Sequence, residues 1–153
     1  MGAVKEPVSS LYEDDFIGWT QQQAEALRAR RPDRLDYANL IEEIESMGKQ
    51  QQAELTNRLA VLLAHLLKWQ QQPALRSRHG RSWQLTVKEQ RLQLARHMRK
   101  NPSLQPFIPE AMRDAYSETV VSAARETGLP ESAFPQPCPY AFEQVAGLDW
   151  MPG

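Results

Sequence analysis

A chain of 153 residues, 41% of them hydrophobic, is long enough to bury one ordinary core, and its single cysteine, Cys138, excludes an intrachain disulfide and a cysteine-built zinc site. The net charge of −1 speaks against bulk attraction to nucleic acid, yet it conceals a sorting: Arg58 to Lys100 carries ten Lys or Arg against Glu89 alone, a formal +9, and each flank carries −5. Met1 to Ser10 has no signal-like apolar stretch and the longest apolar run, Leu59 to Ala64, ends at His65, so secretion and membrane crossing are not expected and a reducing cytoplasm is.

In chain order, Ser10 and Glu13 have capping-box spacing, and Phe16, Trp19, Gln23, Ala24 and Leu27 follow at helical intervals, predicting a first helix closed by Pro32. From Asp36 a second stripe runs through Leu40, Ile44, Met47, Leu55, Leu59, Leu62, Leu66 and Trp69. It predicts one long helix, or two halves meeting near Gly48, ended by Pro73. After a loop containing Arg76, Arg78 and Gly80, Ser82 is placed to cap a third helix with Trp83, Val87, Gln90, Leu94 and Met98 on its inner face, stopped at Asn101-Pro102. Pro109 suits the first turn of a fourth helix bearing Met112, Ala115, Thr119 and Ala123. Gly128 sits at its C′ position, with Leu129 placed to fold back on it. The tail holds five of the eleven prolines with Phe134, Tyr140, Phe142 and Trp150, which allows only short turns and extended pieces. The expected fold is therefore all-α: a single helical domain over 1–153, with four main helices, a long second one, a core over about 11–128 and a Pro-rich covering segment over 129–153.

Several ordered blocks resemble a known family: Leu11-Tyr12-Glu13-Asp14-Asp15-Phe16 with Trp19, Asn39 to Gly48, Leu62 to Trp69, Arg81-Ser82-Trp83, Glu89-Gln90-Arg91, Glu126-Thr127-Gly128-Leu129 and Cys138-Pro139-Tyr140. Together they resemble the bacterial and cyanobacterial family called domain of unknown function twenty-nine, over about Leu11 to Trp150. The resemblance implies an all-helical bundle and carries over no catalytic residue. His79 and Gly80 stand before Arg81-Ser82-Trp83 where the family pattern has a shorter loop.

Among groups that could carry chemistry, Glu42, Glu43 and Glu45 resemble the magnesium-holding glutamates of helical hydrolases, but Ser46 occupies the place of the last glutamate. At 100° per residue, Leu40, Ile41, Ile44 and Met47 mark the buried side, Glu45 borders it, and Glu42 and Glu43 face away. His65, His79 and His97 lack the spacing of a metal pair, and neither Cys138 nor any serine has a base beside it. No catalytic residue, metal or cofactor is expected, and a metal-dependent hydrolase is retained only as an alternative.

The third helix says most. Opposite its Trp83, Val87 and Leu94 face lie Leu85 and Leu92 among Lys88, Arg96 and Arg99, preceded by Arg76, Arg78 and Arg81. A helix apolar on both sides must be covered on both or must bind something. The chain's own acidic, aromatic tail is the first expected cover, then a second copy or a protein partner. Nucleic acid is a further alternative, with Trp69 and Trp83 as stacking surfaces. The preferred reading is an interaction or regulatory module rather than an enzyme, using Arg76, Arg78, Arg81, Leu85, Lys88, Leu92, Arg96 and Arg99.

Overall fold

A computed structural model of the chain describes residues 8–153, with side chains from residue 11 onward. Six α-helices follow one another: α1 (Val8–Asp14), α2 (Phe16–Arg28), α3 (Tyr37–Gln71), α4 (Arg76–Lys100), α5 (Ile108–Thr127) and α6 (Phe142–Ala146). Short 3-10 turns occupy Pro32–Arg34, Pro73–Leu75, Pro102–Phe107 and Glu131–Ala133. The first three of these turns open on a proline, whose fixed φ and missing N–H suit a first helical position. No strand occurs among the described residues, and the expected all-α fold is the one found. Contacts gather into two compact units, Met1–Lys49 and Gln50–Gly153, with α3 contributing to each.

In the first unit the single helix expected from Ser10 to Arg31 is two. The break falls at Asp15, whose carboxylate accepts from the Gly18 N–H at 2.9 Å and caps α2. Gly18 leaves room for that cap, since a Cβ there would lie 2.4 Å from Asp15 Oδ2. Ser10 lies inside α1 and so is not the initiating cap; its side chain falls outside the described residues. Trp19 is buried and donates from Nε1 to Asp36 Oδ2 at 3.0 Å. Buried Gln23 accepts from the Asp36 N–H at 2.7 Å and donates to Arg34 O at 3.3 Å. Tyr12 packs edge-on against Trp19, with centroids 4.8 Å apart, and its hydroxyl donates to Glu43 at 2.5 Å. That bond raises the Tyr12 phenol to about 12.

These bonds hold α3 through Asp36, just before its first residue, and Glu43, so the expected inner face is corrected. Ile41, Ile44 and Met47 are exposed, Ile44 at 65%. Phe16 and Leu27 are likewise open, whereas Ala26 is buried. The indole and phenol hydrogen bonds thus fix the rotation of α3 against the apolar stripe that predicted Ile41, Ile44 and Met47 inward.

The second unit has the larger core. Leu55, Leu59, Leu62 and Leu66 are buried along the predicted stripe, joined by Leu63 and Leu67. Against them stand Val87 and Leu94 of α4, Leu104, and Ile108, Met112, Ala115, Tyr116 and Val120 of α5. Thr119 satisfies its buried hydroxyl on Ala115 O at 2.8 Å. The α3 helix is continuous through Gly48.

The predicted loop before Ser82 is instead the first turn and a half of α4, which begins at Arg76. Arg76 donates from Nε to Trp69 O at 2.8 Å and lies 4.6 Å above the Trp69 ring. Gly80 is buried within the helix, where a Cβ would come 3.3 Å from Trp69 Cζ3. Gly80 therefore permits a close approach of α4 to the Trp69 ring. Gly80→Leu is expected to lower stability by about 2 kcal/mol through overpacking. Urea unfolding would read it, and a variant as stable as the parent would refute this role of the glycine.

At the other end Asn101 Nδ2 donates to His97 O at 3.0 Å, closing α4 where Asn101-Pro102 was expected to stop it. Gly128 ends α5 in the left-handed conformation, with φ 73°, as its C′ position predicted. Leu129 does not fold back; it is exposed, and its N–H donates to Thr127 Oγ1 at 3.3 Å.

The C-terminal segment enters the core rather than lying over the outer face of α4. Phe134, Tyr140 and Val145 are buried with the α3 and α5 side chains. Tyr116 donates its hydroxyl to Pro135 O and Tyr140 to Gln70 Oε1, while Trp69 Nε1 donates to Pro152 O at 3.0 Å. Leu85 and Leu92 remain 57% and 52% exposed, so the expected cover of that pair by the tail is overturned. Burial of three large side chains in one core outweighs cover of two half-exposed leucines.

Candidate interaction face on the fourth helix

The face arises from the register of α4. Val87, Arg91 and Leu94 turn inward, so positions on the opposite side are left to solvent. There Arg78, Leu85, Leu92 and Arg99 recur every seven residues, with Arg81, Lys88 and Ala95 between them, also seven apart. This is the 3-4 alternation of a coiled-coil seam, about 30 Å long at the helical rise. Arg96 flanks it. All eight residues are exposed. Among the described residues no carboxylate lies within ion-pairing distance of Arg78, Arg81, Lys88, Arg99 or the flanking Arg96, since the pairs found involve Arg28, Arg31, Arg58, Lys68 and His97.

Of the eight residues singled out in the sequence, six lie on this seam, Arg78, Arg81, Leu85, Lys88, Leu92 and Arg99, and Arg96 flanks it. Arg76 does not, because its guanidinium is held on Trp69. The tryptophans are also committed elsewhere. Trp69 lies under Arg76 and bonds Pro152, and Trp83 is half-buried with its ring 5.9 Å from His79. Each ring therefore already has one face engaged, by Arg76 and by His79.

Arg91, which the sequence reading passed over, is the buried support of this face. Only 2% exposed, it donates from Nε to Val145 O at 2.8 Å, from Nη2 to Gln144 O at 3.0 Å and from Nη1 to Leu148 O at 3.4 Å. It therefore caps the C-terminal end of α6 and anchors the segment that follows. Burial pushes its guanidinium below the ordinary value, and Asp149 acts in the opposite direction. The available signal was a cation four residues after Val87 and three before Leu94, inside an otherwise apolar row. Arg91 also contributes to a pocket of about 360 Å³ lined by Arg81, Leu85, Lys88, Leu148 and Asp149. The pocket opens beside the first leucine of the seam and can receive one side chain of an opposing helix.

The other candidate groups are dispersed. His65 Nδ1 lies 2.8 Å from Val61 O and His79 stacks on Trp83. Buried His97 places Nε2 3.0 Å from Gln51 Oε1 and 3.4 Å from Glu54, and its Nδ1 has no partner. Arg58 bridges Glu54 at 2.6 Å and Gln93 at 2.9 Å, holding the Glu54 carboxyl below its usual range. Glu43 is engaged by Tyr12, while Glu42 and Glu45 are exposed. Among the described residues no three His, Cys, Asp or Glu gather as metal ligands, and no helix is long and apolar enough to cross a membrane.

Fold and face together define an all-helical protein with an unpaired basic seam on one long helix. The chain belongs to the family described as Domain of unknown function DUF29, whose model matches residues 11–151. No curated protein and no solved structure matches it.

Proposed function

We propose that this is a cytoplasmic protein-interaction module whose α4 seam docks an acidic amphipathic helix of a partner protein. The observation that carries the reading is the seam itself: Leu85 and Leu92 half-exposed at heptad spacing among cations that have no carboxylate partner among the described residues. A partner helix with leucines facing Leu85 and Leu92 and glutamates facing Arg81, Lys88 and Arg99 would remove the apolar pair from water and neutralise the stripe. The pocket beside Leu85 would take one anchoring side chain. Nucleic acid fits less well, because phosphates gain nothing from two leucines and Trp69 is engaged by Arg76 and Pro152. A hydrolase would need carboxylates that converge.

The test is a fluorescence-anisotropy titration with a labelled helical peptide carrying leucine and glutamate at those facing positions, beside labelled duplex DNA, at low and high salt. Peptide binding is expected to weaken with salt, and to fall about a hundredfold in a Leu92→Glu, Lys88→Glu, Arg96→Glu variant, from loss of apolar contact and reversal of two charges. Duplex binding with no peptide binding would transfer the seam to nucleic acid and end this reading.

A further inference from the structure

On the α5 side of the second unit, the C-terminal segment leaves a cavity of about 560 Å³. Its body is apolar, walled by Ile108, Met112, Tyr116, Tyr140 and Phe142. The two tyrosine hydroxyls are already engaged, on Pro135 O and Gln70 Oε1, so the rings are held and offer carbon surface to the space between them. Two charged residues are also part of the lining, Arg113 from α5 and Glu143 from α6. Both are exposed, and neither forms an ion pair among the described residues. Opposite charges that line one cavity without closing on each other leave a gap for a group that offers an acceptor to one and a donor to the other.

We propose that this cavity is a binding site for a small amphiphile, with an aromatic or branched apolar body and a head bearing both an anionic acceptor and an N–H or O–H donor. The volume lies in the range of small-molecule sites, which are typically about 300–1,000 Å³, apolar and provided with a few polar groups that orient the ligand. The body would lie against the ring and methionine carbons that line the cavity, the anionic group would meet the Arg113 guanidinium, and the donor would meet the Glu143 carboxylate. The site is separate in its residues from the α4 seam, and its occupation does not depend on a partner there.

Anilinonaphthalenesulfonate is a suitable probe, because it joins an apolar ring system to one sulfonate and one N–H. The full chain is expected to bind one equivalent. Ser117 also lines the cavity and is exposed, so Ser117→Trp fills the space from its rim without touching the core. That variant is expected to lose about tenfold or more in affinity, and Arg113→Gln about fivefold. Cys138 lines the same cavity and is the only cysteine, and burial pushes its thiol up, so its reaction with dithionitrobenzoate reports occupancy directly. Saturating probe is expected to slow that reaction. Binding that is unchanged in both variants, or that leaves Cys138 as reactive as in the free protein, would overturn the site and assign the probe to exposed apolar surface elsewhere.

Discussion

Replacing Arg91 by leucine is expected to lower the stability of the protein by about 3 kcal/mol, although leucine is apolar and the position is buried. The side chain supplies three hydrogen bonds to main-chain carbonyls at the end of α6 and just beyond it. With five residues, α6 is too short to persist by its own hydrogen bonds and needs an external cap. Leucine would remove the donors and leave the buried Val145 carbonyl without a partner, with those of Gln144 and Leu148 partly open to water, and each unsatisfied buried group costs about 1–3 kcal/mol. Relief from burying a guanidinium offsets part of this, so the net is nearer one such pair than three. For a chain of this size the loss corresponds to a fall in Tm of about 10 °C. Arg91→Lys keeps the charge but cannot span three carbonyls, and is expected to recover less than half of the loss. Urea unfolding and thermal melting would measure both variants; a leucine variant within about 0.5 kcal/mol of the parent would show that the carbonyls find other partners.

Deletion of residues 129–153 is expected to abolish cooperative unfolding or cause aggregation. The segment buries Phe134, Tyr140 and Val145 in the core of the second unit. At about 1.5–3 kcal/mol for each large apolar side chain, these alone rival the 5–15 kcal/mol by which a typical domain is stable. Their removal would also leave Trp69 Nε1, the Tyr116 hydroxyl and the Arg91 guanidinium without their acceptors. The cause is loss of core, not uncovering of the α4 leucines, and the two causes separate cleanly. Leu85→Gln with Leu92→Gln in the full chain is expected to change stability by less than about 0.5 kcal/mol, because both residues already face solvent. Size-exclusion chromatography and a thermal melt of each protein would decide. A truncated chain that stays monomeric with an unchanged Tm would mean that α3, α4 and α5 close a core without the tail.

The face on α4 was legible because it depends on one helix. Once Val87 and Leu94 are taken as inward, the 3.6-residue period puts Leu85, Lys88, Leu92 and Arg99 outward whatever packs against the other side. The role of Arg76 was not legible, since it depends on a tryptophan seven residues earlier being brought beneath it by a turn. The amphiphile cavity was invisible for the same reason: α5 side chains and the Pro137 to Phe142 stretch form its wall only after the tail has docked.

The sequence by itself determined the helical class, the continuous leucine row from Leu55 to Leu66, the stop at Asn101 and the left-handed end at Gly128. Each of these follows from the period of one helix or the allowed dihedrals of one residue, and needs no knowledge of a distant neighbour. The break at Asp15 is a local cap on the Gly18 N–H that the apolar period did not disclose. Only the tertiary structure decided the start of α4 at Arg76, where the side chain meets Trp69, the outward rotation of Ile41 and Ile44, and the burial of Arg91. Local propensities there differ by less than about 1 kcal/mol, and hydrogen bonds to groups brought close only by the fold exceed that difference.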